Sequence, residues 1–87
     1  MVKKWDIFGN IISSAYRKRV LIALEEKPKT PSMLEKELNI KIAHISRTLT
    51  ELEGLKVISC LTPRLRKGRM YFITKLGKNA MKEINER

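Results

Sequence analysis

The sequence predicts a mainly α-helical fold with one small β-hairpin, on three observations. Apolar residues recur at spacings of three and four through most of the chain. Two of these helical stretches are separated by only a few residues around Asn39. Two β-branched and aromatic runs, VISCL (57–61) and RMYFI (69–73), flank a loop containing Pro63 and Gly68. The 87 residues, 43% hydrophobic and 32% charged, suit a single domain over 1–87 with enough apolar content to fold.

Trp5, Phe8 and Ile12 share a helical spacing, so 4–12 reads as a short amphipathic helix that Ser13 and Ser14 interrupt. Either serine can cap a second helix over about 15–26, with Tyr16, Val20, Leu21 and Leu24 on one face. Pro28 then disfavours helix before it, Thr30 is a competent N-cap and Pro31 suits a first helical position. The third helix therefore starts near Pro31, carries Met33, Leu34 and Leu38 inward, and ends at Asn39, a residue that tolerates positive φ. Ile42, Ile45, Leu49 and Leu52 define a fourth helix over about 42–54. Two helices joined by so short a turn form a helix-turn-helix, here about 31–54. The hairpin over about 57–73 has a connection too long for a tight turn, with Leu65 its one apolar residue, so it should project as a wing. Thr74 can cap a last helix, about 75–86, with Leu76, Ala80, Met81 and Ile84 as its stripe.

A helix-turn-helix followed by a cationic hairpin is the winged helix-turn-helix arrangement, with an additional helix at each end. The stretch from about residue 5 to 82 resembles archaeal winged helix-turn-helix transcriptional regulators of the ArsR-like group. Ser46, Arg47, Leu49 and Leu52 match that group's Ser-Arg-x-Leu-x-x-Leu recognition helix, and Thr62, Pro63, Gly68, Arg69, Tyr71, Ile73 and Thr74 match its wing. The resemblance implies a DNA-binding regulator, usually a homodimer. The chain departs from it in having Lys56 where relatives commonly have glycine, and in lacking the clustered cysteines of metal-sensing members.

Charge points the same way independently. Lys and Arg number 19 against nine Asp and Glu, a net charge of +10, which calls for a polyanionic partner. Between Glu53 and Glu83 there are eight cations and no acid, while acids of 25–37 are expected elsewhere on the domain. Arg64, Arg66, Lys67 and Arg69 are placed to grip phosphates, with one arginine able to enter a minor groove and Gly68 letting the loop turn. On the fourth helix, Ala43, His44, Arg47, Thr48 and Thr50 should point outward, and Lys41, Ala43, His44, Ser46, Arg47 and Thr48 are the candidate DNA-contacting set. Lys41 is a poor N-cap, which leaves the first N–H groups open to a phosphate or to water. Arg17, Lys18, Thr30 and Ser32 are further candidate phosphate contacts, the basic cluster at 17–19 being equally readable as a solvated face. Trp5, Phe8, Ile12, Leu76, Ala80 and Ile84 are the candidate dimer interface, which would set two recognition helices about one helical turn apart.

One His, one Cys and no convergent carboxylate pair leave no recognisable catalytic centre, so no enzyme, metal or cofactor is expected. No stretch approaches the length of a membrane span or of a signal peptide's apolar core, and a cytoplasmic, nucleoid-associated location is expected. No small-molecule effector is evident. The expected function is sequence-specific binding of double-stranded DNA in transcription regulation. A sequence-independent architectural or chromatin protein and a winged-helix protein-interaction module are the alternatives.

Overall fold

The computed structural model describes residues 9–85, so Trp5 and Phe8 of the first predicted helix lie outside the described residues. Residues 9–12 are helical and stop where the Ser13 amide donates to the Gly9 carbonyl and its hydroxyl to Asn10. Ser14 then caps α1 (Ala15–Glu26), its Oγ accepting from the Arg17 amide. Val20, Leu21, Ala23 and Leu24 are buried, whereas Tyr16, expected on the same face, is exposed at the first turn.

Helix α2 (Pro31–Leu38) begins as expected, with Thr30 Oγ1 accepting from the Met33 amide, and ends at Asn39 with φ 55°. Helix α3 is Ile42–Gly54. Its C-terminus closes as a Schellman motif: Val57 N donates to Leu52 O at 3.3 Å and Lys56 N to Glu53 O at 3.0 Å. Lys56 therefore takes a left-handed φ of 65°, the conformation that favours glycine. Lys56→Gly is expected to raise stability by about 0.5 to 1 kcal/mol, read as a higher midpoint in denaturant with an unchanged slope.

Strands β1 (Ile58–Cys60) and β2 (Tyr71–Ile73) pair antiparallel with Ser59 opposite Phe72. They are shorter than predicted because the helix closure claims Val57, and because the Met70 amide turns to the Thr62 hydroxyl. A third extended segment went unpredicted. Lys29 and Tyr71 exchange both backbone hydrogen bonds, at 3.0 and 2.9 Å, which ties the α1–α2 connection to the wing. Helix α4 (Lys75–Asn85) follows, with the Thr74 hydroxyl accepting from Gly77 N and donating to Lys56 O. Buried side chains from the first helical segment, all four labelled helices and both strands form one cluster, including Ile11, Leu21, Leu34, Ile45, Val57 and Met81. The architecture is a winged helix-turn-helix, α2–turn–α3 packed on α1, with the hairpin beside it and α4 against α1 and β2.

Candidate nucleic-acid interface

Three elements meet at an open groove of about 380 Å³: the start of α2, the first turns of α3 and the wing. Pro31 and Ser32 come from α2, Ile42 and Ser46 from α3, and Arg66, Lys67, Gly68 and Arg69 from the hairpin loop, with Tyr71 at the base. Among the described residues, no acidic side chain lines it. The fold thus brings together Ser32, Ser46 and three of the four loop cations that sequence reasoning singled out separately. Arg64, Arg66 and Lys67 are exposed, and Gly68 takes φ 68° as the loop reverses.

Arg69 differs from the other three. It is half-buried, its guanidinium lies 6.0 Å from the Tyr71 ring centroid, and its Nε is buried. Interaction with the neighbouring Cys60 sulfur, and then with Tyr71, pushes its already high pKa further up, while burial pushes the Tyr71 phenol up against the opposing Arg69 charge. Arg69 is therefore the wing's packed root, and Arg64, Arg66 and Lys67 are its free cations.

On α3, Lys41, Ala43, Ser46 and Arg47 are exposed as expected. Thr48 is not: it is 3% exposed, against the prediction that it points outward. The inward stripe is phased from Ile45, and positions three, four and seven residues on are Thr48, Leu49 and Leu52. Ile42, predicted in the core, stands at the edge of this stripe in the helix's first residue and is 41% exposed. His44 is half-buried rather than free, its ring 5.3 Å from that of Tyr16. Lys41 gives no side-chain cap, as predicted, but the Ile42 amide is not open: it donates to Glu35 Oε2 at 3.0 Å. A carboxylate already satisfies that N–H and opposes a phosphate there, and Glu35 does not sit away from α3 as the acids of 25–37 are expected to.

Two of the three cations of the α1 cluster are hydrogen-bonded within the fold. Arg17 makes a two-pronged contact with Glu51 of α3, Nε to Oε1 at 3.3 Å and Nη2 to Oε2 at 3.0 Å, and donates a third bond to the Asn10 carbonyl. The Arg17 hydrogen bond holds the Glu51 carboxyl below its usual range, with partial desolvation opposing and Arg47 adding to the effect. Arg17 is thus committed to the fold and is not a free phosphate contact. Arg19 donates to the Leu38 carbonyl, completing the end of α2, and Lys18 alone of the cluster is exposed and makes no side-chain bond among the described residues. The Thr30 hydroxyl serves as a cap, while Ser32 is open to the groove.

Of the candidate dimer residues, Ile12 and Leu76 are exposed, Ile84 is half-buried, and Ala80 is buried in the chain's own core. Alanine is small enough to sit under the helix, so the α4 stripe is mostly spent inside the chain's own core. Among the described residues no His, Cys, Asp or Glu cluster could hold a metal ion, and no helix is long and apolar enough to cross a membrane.

Sequence reasoning missed Lys29, 1% exposed, with Nζ at 2.8 and 2.7 Å from the two Glu37 oxygens and 3.9 Å from Glu26. A lysine eight residues before a glutamate, across a helix start, carries no periodic signal. It also missed Ile42, for which the exposed first turn of a helix is the signal that could have warned against a core assignment.

No family model matches the chain, and no curated protein matches it. Solved structures do. A MarR family transcription regulator, SP03579, superposes with a TM-score of 0.75 at 25% identity over 84% of this chain and 50% of its own. RV1404 from Mycobacterium tuberculosis gives 0.76 at 20% identity, over 92% and 57%. An ArsR family transcriptional regulator, RHA00566, gives 0.73 at 19% identity, over 97% of this chain and 90% of its own. The chain spans about half the length of the first two, and what it shares with all three is the winged helix-turn-helix fold.

Proposed function

We propose that this chain is a sequence-specific, double-stranded DNA-binding transcription regulator that acts as a homodimer on the nucleoid in the cytoplasm. Helix α3 enters the major groove, and Arg64, Arg66 and Lys67 hold the flanking backbone or the adjacent minor groove. The observation that carries this reading is the acid-free groove between α3 and the wing, where Arg66, Lys67 and Arg69 face Ser32 and Ser46. Exposed Ala43, Ser46 and Arg47 supply methyl, hydroxyl and guanidinium groups suited to base edges, with Arg47 able to bond guanine bidentately. Regulators with this fold among the solved structures, of the MarR and ArsR families, support the same reading. Exposed Ile12 and Leu76 are the apolar groups that pairing of two protomers would cover.

The net charge of +10 favours one other reading, an architectural protein that coats any duplex by counterion release. Selection from a random duplex library at one fixed salt concentration separates the two. A regulator enriches a palindrome bound on the order of a thousandfold more tightly than scrambled DNA. Equal, salt-sensitive binding to every sequence would identify a coating protein instead.

A further inference from the structure

We propose that Ile42 is a specificity-determining residue that reads the C5-methyl group of a thymine. The inference rests on the DNA-binding reading above. Ile42 opens α3 with its side chain 41% exposed, and it shares the wall of the groove with Ser46, one turn further along the same face. Of the groove's other lining residues, Ser32, Ser46, Arg66 and Lys67 carry hydrogen-bonding or charged ends that phosphates and base-edge acceptors satisfy, while Pro31 is apolar and short and Gly68 has no side chain. Ile42 can satisfy none of those groups and gains only from apolar contact. On the major-groove face of duplex DNA, the apolar group is the thymine methyl.

Two further features hold Ile42 ready for that contact. Its amide donates to Glu35 Oε2 at 3.0 Å, and the His44 and Ile45 amides both donate to the Lys41 carbonyl, so the first turn is fixed before any ligand arrives. The β-branched side chain has few rotamers to lose. The Glu35 carboxylate also disfavours a phosphate at this helix end, which leaves the turn to base edges, the usual contact of a recognition helix's first residues. Glu35 is in this sense a positioning residue for Ile42.

The test replaces each thymine of the selected site, one at a time, by deoxyuridine, which lacks only the methyl group, and measures affinity for the full chain and for Ile42→Ala and Ile42→Val. For the unaltered chain, one substitution per half-site is expected to weaken binding about fourfold, the loss of one buried methyl. Ile42→Ala should bind thymine and deoxyuridine equally at that position, and Ile42→Val should keep most of the preference. Thermal midpoints of both variants, expected close to that of the unaltered chain, exclude a folding defect. If every thymine-to-deoxyuridine effect is the same in Ile42→Ala as in the unaltered chain, Ile42 does not read a methyl and the inference falls alone. If no site is enriched at all, the inference falls together with the reading it rests on.

Discussion

Gly77→Ala is expected to destabilise the domain by roughly 3 kcal/mol, the largest effect of any single methyl group added to its glycines. A Cβ at Gly77 would overlap the Val57 carbonyl oxygen and lie 2.7 Å from Ile73 Cγ1. The carbonyl cannot swing away, because it also accepts the Thr74 amide at 3.0 Å and follows the left-handed Lys56. Helix α4 would have to lift from the hairpin, loosening Met81 from the core and the Thr74 cap from Lys56. The thermal midpoint should fall by more than about 10 °C. Gly54→Ala is the control: no atom lies within 4 Å of the added Cβ, and inside a helix alanine is favoured over glycine by up to about 1 kcal/mol. Equal midpoints for the two variants would show that α4 does not need its close approach to the hairpin.

The second large effect is on binding. Changing Arg64, Arg66 and Lys67 together to alanine removes three exposed cations and nothing from the core, so the midpoint should move little. DNA affinity at low salt should fall by about a hundredfold, taking about 1 kcal/mol for each exposed charged contact. The dependence of log affinity on log salt should become shallower by about 2.7, or about 0.9 for each phosphate released. Arg17→Ala should do the reverse, lowering stability through the loss of its bonds to Glu51 and Asn10 while leaving the salt slope in place. A triple variant that bound with an unchanged slope would remove the wing from the DNA-contacting surface.

Helix positions were legible in the sequence because caps and breakers are local. Ser14, Thr30, Pro31, Asn39 and Thr74 act on neighbours within a few residues, and each does what its chemistry predicts. The loop cations were legible for a similar reason, since a run of like charge on a projecting hairpin has nowhere to go but solvent. What failed depended on tertiary phase or distant partners. Ile42 and Thr48 exchanged their expected places because either phasing of α3 gives an apolar stripe, and only packing against α1 and α2 selects between them. Arg17 reads as a surface cation until Glu51 is folded against it, and Glu35 reads as a distant acid until the turn at Asn39 brings it to the start of α3. Arg69 belongs to the loop by sequence but to the hairpin's packed base by structure, because Tyr71 is near enough to hold it.

The paired backbone of Lys29 and Tyr71 bears on how this chain folds. That bridge joins a residue before α2 to the first residue of β2, so it encloses both helices of the helix-turn-helix, β1 and the wing loop within a single long loop. Closing such a loop has a high entropic cost and gains nothing from local propensity, so it forms only when the helices are already in place. A two-stranded hairpin of three-residue strands is itself too small to persist in water. The root of the wing should therefore appear and disappear with the whole domain, its amides exchanging with solvent only through global opening, while the cationic loop above it exchanges freely.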